Sequence, residues 1–427
     1  MESVRAASPP VTDPLGKAAA PQLTIIFLTL GLDAIGYGMI LPVLPTLLTQ
    51  LVHGEAAASR YYGLFAAIYA LMQLVFGPIF GGLSDRFGRR AVILPALLGA
   101  GLDYLLMALA PSVGWLFVGR SLSGIAGASA TPGTAYLSDV MPPERRAQGY
   151  GMATAAFGIG VVIGPALGGL LGRSDIRLPF FIAGALNLMN FVLAAVLLPE
   201  SLQPAHRRPF SWARSNPLGS LWQLGRSPAR RRLTGVLLCG ALSQQIVLGV
   251  WALHAQTRFG WDTLPVGGSL ALTGILGALV QVVVLPRVIR HLGERRTMMS
   301  GLMVALIGLA AFGLARTGFT FIVMIPLFVY ASVAGPITRS FLSREFSPSE
   351  QGLLHGSVAS LVSLSAVIGP SLSTNVFALF CVRGATPYLP GAPFFLGSFF
   401  SGLSLLFARW GSRHVSDSQR DREVPQP

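Results

Sequence analysis

Apolar residues run along this chain in long blocks separated by short polar knots, with no amphipathic stripe to mark a soluble helix. A helix needs about 20 mainly apolar residues to cross a hydrocarbon core. Twelve runs qualify: 23 to 50, 62 to 83, 91 to 110, 114 to 138, 148 to 171, 178 to 198, 233 to 255, 265 to 287, 298 to 315, 319 to 342, 353 to 380 and 391 to 410. Each predicts a membrane-spanning helix, with part of 353 to 380 expected as loop. The widest polar break divides the chain into a six-helix unit at 23–199, a basic linker at 200–232 and a second six-helix unit at 233–410. Residues 1–22 and 411–427 read as flexible tails; the first lacks the pattern of a secretory signal.

The polar knots carry the next layer of information. GGLSDRFGRR at 81 to 90 packs Asp85, Arg86, Arg89 and Arg90 between two apolar runs, so it must sit at a membrane surface. RHLGERR at 290 to 296 echoes it, with Gly293 lying 205 positions after Gly88. The same offset carries Gly164-Pro165 onto Gly369-Pro370. Two landmarks at one spacing imply two related halves, as in carriers built from repeated bundles. The linker holds Arg207, Arg208, Arg214, Arg226, Arg230, Arg231 and Arg232 and no acidic residue from 201 to 232. Alternate loops are also basic, which places them, the linker and both termini in the cytoplasm.

Composition narrows the function classes. Of 427 residues, 52% are hydrophobic and 11% charged, too apolar for an ordinary soluble domain. The formal charge of +14 does not indicate nucleic acid, because the arginines are scattered over short loops rather than along one solvated face. Lys17 is the only lysine. Cys239 and Cys381 form no metal or redox pattern and read as packing residues. The chain has no nucleotide-binding loop, metal cluster or nucleophile constellation, so neither an enzyme nor an ATP-driven pump is expected. No catalytic and no metal-ligating residue is assigned.

Charges inside the spans are the candidate chemistry. Asp103 lies near the middle of the third run, where an ionised carboxylate is costly and usually faces a cavity or a partner. Such an acid can hold a proton at one moment and a cationic or metal-chelated cargo at another; the alternative is a polar group buried for packing. Asp33 and Arg120 are the other buried charges of the first half, and an ion pair between them is the expected arrangement. Gln73 and Gln281 either bond cargo or hold helices together. Gly160, Gly164 and Gly168 share one helix face, with Pro165 in register and Gly169 beside it. In the knot, Asp85 is placed to cap a helix of the other half and Arg89 to reach Asp139. Arg339 either snorkels to the surface or enters the cavity.

Taken together these residues resemble the drug and proton antiporters of the major facilitator superfamily. The knot from Gly81 to Arg90 matches the superfamily signature between helices 2 and 3; LDAIGYGMILPVLP at 32 to 45, VGRSLSGIAGA around Arg120 and GVVIGPALGG at 160 to 169 resemble the motifs of helices 1, 4 and 5. YALMQ at 69 to 73, GAGLDYLLMA at 99 to 108, LPES at 198 to 201, RFGWD at 258 to 262 and LGERR at 292 to 296 bring the chain closest to the bacterial tetracycline efflux proteins. The resemblance implies an all-α membrane protein with twelve helices in two pseudo-symmetric six-helix bundles. It also implies that the helix-5 glycines lie where the halves meet.

Proton-coupled efflux of a small amphipathic drug of the tetracycline class across the bacterial inner membrane follows as the expected activity. The expected partners are lipid, drug and protons, with no cofactor beyond the proton gradient, no nucleic acid, and a cargo that can arrive as a divalent-metal chelate; a monomer is compatible. Gly277 stands where those exporters carry a functional histidine, and Ala305 where they carry an acid. An exporter of another antibiotic or metabolite is therefore the alternative, and a non-transporting sensor or scaffold is the reading from another class.

Overall fold

The computed structural model describes residues 20–52, 54–142, 145–210, 224–225, 227–347, 350–382 and 384–420. Arg214, Arg226, most of the first expected tail and the last seven residues of the second lie outside these residues. The first unit contains α1 (Ala20–Ile40), α2 (Leu44–Leu51), α3 (Glu55–Phe87), α4 (Arg89–Ala108), α5 (Val113–Gly127), α6 (Ala130–Val140), α7 (Arg146–Ser174) and α8 (Leu178–Leu197). The second contains α9 (Pro228–Phe259), α10 (Thr263–Leu279), α11 (Leu285–Gly313), α12 (Gly318–Tyr330), α13 (Ala334–Arg344), α14 (Gln351–Phe380) and α15 (Ala392–Arg420).

These helices make twelve spans, but several are broken. Ten stretches are long and apolar enough to cross a bilayer. One of them, Thr263–Gly313, has 51 residues, about 77 Å of helix at 1.5 Å per residue, and must cross twice. It is divided at Gly293, whose φ of 77° and ψ of 160° are not helical. The twelfth span joins α5 and α6 through a turn at Ala128–Ser129. The first run breaks at 41–43, where Pro42 and Pro45 deprive the helix of amide donors. One expectation is corrected: the segment from Gln351 to Phe380 is one continuous helix without a loop. The helix α15 runs on to Arg420, into the stretch read as a tail.

Packing follows the repeat. In the first half α1 lies against α7 and α8, and α4 against α5 and α8; in the second α9 lies against α14 and α15, and α11 against α12 and α15. Between halves, α3 meets α14 and α7 meets α10. The bonds across this seam lie toward the face away from the charge knot. Gln256 Nε2 donates to Pro42 O (3.2 Å) and Thr46 Oγ1 (3.1 Å), Thr263 Oγ1 to Gly169 O (2.9 Å), and Arg173 lies 3.7 Å from Asp262.

Candidate functional site in the two half-bundles

The first half concentrates its buried charge around α4 and α5. Asp103 is 1% exposed, and its Oδ2 accepts a hydrogen bond from the Ser123 hydroxyl. Its Oδ1 is buried without a hydrogen-bond partner. Gly119 lets α5 approach so closely that an added Cβ would press on this oxygen. Asp103 is also the one charged residue lining a cleft of about 610 Å³, whose walls include Phe80, Leu83, Leu102, Leu106 and Leu122. An acceptor with no donor at an apolar wall is costly. It is suited to receive a proton or a cation.

Arg120, also buried, does not pair with Asp33 as expected. Its guanidinium lies over the Tyr69 ring at 4.2 Å and the Tyr37 ring at 5.8 Å, and those two rings stack at 5.4 Å. Tyr37, one helical turn beyond Asp33 on α1, supplies a ring to the guanidinium instead of a carboxylate. A desolvated cation–π contact is worth about 2 kcal/mol, against a desolvation cost of several kcal/mol for a buried ion. The Arg120 charge also acts on Asp103. Arg120 Nε has no hydrogen-bond partner, so the group is held by rings and field rather than by a fork of bonds. Asp33, half-buried, makes no hydrogen bond or ion pair among the described residues. Tyr69 is thus shared by the Arg120 guanidinium and the Tyr37 ring. Gln73 belongs to the same wall and donates to the Tyr69 hydroxyl at 3.0 Å.

In the second half the expected cavity residues come together, without Gln73. Gln281 and Arg339 line a cavity of about 550 Å³ that also includes Gly277 and Ala305. Gln281 lies in a π-helical turn, Val280–Val284, and donates to Ser332 Oγ at 3.1 Å. Such turns carry an extra residue and often mark functional positions. Arg339 is exposed and also lines the cavity, and among the described residues it has no hydrogen bond, ion pair or ring contact.

The charge knot forms a closed network within the first half. Arg89, 8% exposed, donates to Ser84 Oγ (2.8 Å), Asp85 Oδ1 (2.5 Å) and Asp139 Oδ2 (2.9 Å). The expected reach to Asp139 is therefore present. Asp85, in contrast, caps no helix of the other half here; its described side-chain partner is Arg89, because Gly88 turns the chain back at φ 108° and brings Arg89 over the end of α3. Arg86 lies over the Phe87 ring and Arg90 donates to Ala195 O. Gly81 brings α3 close to Thr131 of α6. Glu200 completes the knot: its carboxylate accepts from the Arg89 and Arg90 amides at 2.8 and 3.2 Å, the open donors of α4.

The glycine stripe is corrected in part. Gly160, Gly164 and Gly168 share a face, but that face seats α7 on α1, against Ala34, Ile35, Gly38 and Met39, inside the first half. The seam with α10 uses the next face round. There Gly169 meets Thr263 and Gly267, and the Pro165 carbonyl meets Gly267. One residue turns a helix by about 100°, enough to separate the two surfaces.

Residues 26–370 match the family model of the Major Facilitator Superfamily. The chain is 38% identical over 357 residues to the class C tetracycline resistance protein of Escherichia coli, spanning 83% of this chain and 89% of that one. It is 37% identical to the class G tetracycline resistance protein of Vibrio anguillarum, spanning 83% and 90%. Its fold matches, with a TM-score of 0.74, a bacterial homologue of the human lysosomal transporter Spinster in an inward-facing, unoccupied conformation; identity is 16%, with 93% and 98% of the chains covered. Twelve spans in two bundles, a seam along α3–α14 and α7–α10, and the match across 26–370 lead to one assignment: the chain belongs to the major facilitator superfamily, a multi-pass membrane transporter and not an enzyme.

Proposed function

We propose that this protein exports an amphipathic drug of the tetracycline class in exchange for protons across the bacterial inner membrane, with the charge knot, the linker and both termini on the cytoplasmic side. The observation that carries the reading is Asp103: a buried carboxylate with one oxygen bonded to Ser123, the other open, and the Arg120 charge acting on it. That open oxygen accepts a proton or cargo in turn, and either one changes what Arg120 and the tyrosines feel. Relatives at 33–38% identity are tetracycline resistance proteins, which supports the cargo class. Bonds between the halves at the face away from the knot support a carrier that opens on the knot's side, the cytoplasmic one in this reading. Cargo enters there; rocking of the halves breaks the Gln256 and Thr263 bonds and exposes the site outside, where a proton returns to Asp103. Asp33 and Arg120 share in coupling, and the knot with Asp139 serves as the cytoplasmic gate. No cofactor is required, and a divalent ion travels only as part of the cargo.

The decisive variant is Asp103→Asn. Tetracycline resistance in a sensitised host and drug-driven proton release from everted vesicles should both be lost, with the protein still inserted and monodisperse. Efflux of unchanged rate and pH dependence in that variant would overturn the assignment. A second reading keeps the mechanism and changes the cargo to another antibiotic or metabolite, and Gly277 and Ala305 favour it. Protection against tetracycline itself would decide against it.

A further inference from the structure

The cavity of the second half has a polarity that the exporter reading does not use. Among its described lining residues are three glutamines, Gln244, Gln245 and Gln281, and one cation, Arg339, but no aspartate or glutamate. Its buried hydroxyls are already engaged: Ser243 donates to Gly397 O (2.8 Å), Thr338 to Ala334 O (2.7 Å), and Gln281 holds Ser332. Arg339, Gln244 and Gln245 make no hydrogen bond among the described residues. A guanidinium presents five donors in a plane and no acceptor, and it stays protonated. Ala305 and Gly277 line the same cavity and add no charge.

We propose that this cavity is a subsite for an acidic oxygen group, a carboxylate, enolate or phenolate, on an amphipathic aromatic cargo, with Arg339 as its cation and Gln244 and Gln245 as further donors. This deepens the exporter reading and rests on it, because it assigns the second half the task of holding the cargo's anionic edge. A zwitterion or a weak acid fits such a carrier better than a simple cation, which Arg339 repels.

The test uses the purified full-length protein in detergent and two probes of one shape: 2-naphthoate and its uncharged amide, 2-naphthamide. Equilibrium dialysis should show the carboxylate binding about tenfold more tightly, the scale of one charge-assisted hydrogen bond. Arg339→Gln should abolish that preference while leaving the affinity for 2-naphthamide unchanged, and Arg339→Lys should retain part of it. Gly277→Glu gives an independent arm if Arg339→Gln fails to fold, since a Cβ at Gly277 meets open space and the added carboxylate should cancel the preference without touching Arg339. Equal affinity for the two probes in the parent protein, or a preference that survives both variants, would overturn the proposal. Binding needs no proton gradient, so loss of efflux in Asp103→Asn and loss of charge preference here are separate outcomes.

Discussion

The two halves share one turn and surround it differently. Gly88 and Gly293, 205 positions apart, both adopt positive φ with ψ near 155–160°, and each starts a helix whose first residue pairs with one 50 positions on. In the first half the pair is Arg89 with Asp139; in the second the charges are exchanged, Glu294 with Arg344. The first pair is enclosed, with side-chain exposures of 9% and 20%, whereas the second stands at 36% and 56%. The repeat therefore preserves backbone geometry and connectivity, while burial decides whether the same pairing acts as a bolt or as a loose surface contact.

Substituting the glycines should separate the halves most sharply. A non-glycine residue at this positive φ with extended ψ costs about 1–3 kcal/mol. At Gly88 the new Cβ would also displace Glu200 from the start of α4, adding about 1 kcal/mol. Gly88→Ala should thus lower stability by about 1 kcal/mol more than Gly293→Ala, which meets open space and carries the backbone cost alone. Thermal melting of both variants in one detergent checks this, and equal shifts would break the comparison.

Next in size is the pairing itself. Asp139→Asn leaves Arg89 buried with only Asp85 and Ser84, a loss of about 2 kcal/mol, below the full penalty of a stranded charge. Glu294→Gln removes an exposed pair and should cost less than about 0.5 kcal/mol. The smallest effect is that of salt. Between 0.1 and 1 M the screening length falls from about 10 Å to about 3 Å, so the Glu294→Gln difference should vanish while that of Asp139→Asn persists.

The interiors differ as well. Where the first half holds Asp33, Asp103, Arg120 and three tyrosines, the second packs Trp251 against Phe321 (4.8 Å), Phe328 (5.7 Å) and Phe312 (5.8 Å), with its indole N–H bonded to Ser269. Each such ring pair adds about 0.5–1.5 kcal/mol beyond its buried area. One half gathers buried charge around tyrosine rings, and the other packs an aromatic cluster that also encloses His254.

Much of this was legible in the residue order, for physical reasons that also explain the gaps. Hydropathy alone locates the spans, because the bilayer sets their length. The knot and the internal repeat follow from charge and glycine spacing, and Asp103 and Arg120 stand out because charge inside a span is costly. What escapes is contact between distant segments. The Arg120 seat on Tyr37 and Tyr69 joins α1, α3 and α5, and although both tyrosines fall within recognisable motifs, nothing local says that rings rather than Asp33 receive the cation. Glu200 had a weak signal, an acid at the end of span six, but its service to α4 depends on the folded approach of 200 to 89. The aromatic cluster around Trp251 draws on residues up to 394, with no local pattern. Breaks inside spans were hidden because Pro42 and Pro132 interrupt hydrogen bonding without interrupting hydropathy.

The π turn before α11 has a practical consequence. Leu285 N–H reaches back to Val280 O, five residues instead of four, so one extra residue is accommodated in the winding. Positions before and after it that share a side of the span no longer share a 3.6-residue phase. A cysteine scan from Thr263 to Leu292 would therefore trace two labelled stripes displaced by one residue, and a ruler set on the first would misassign every position of the second.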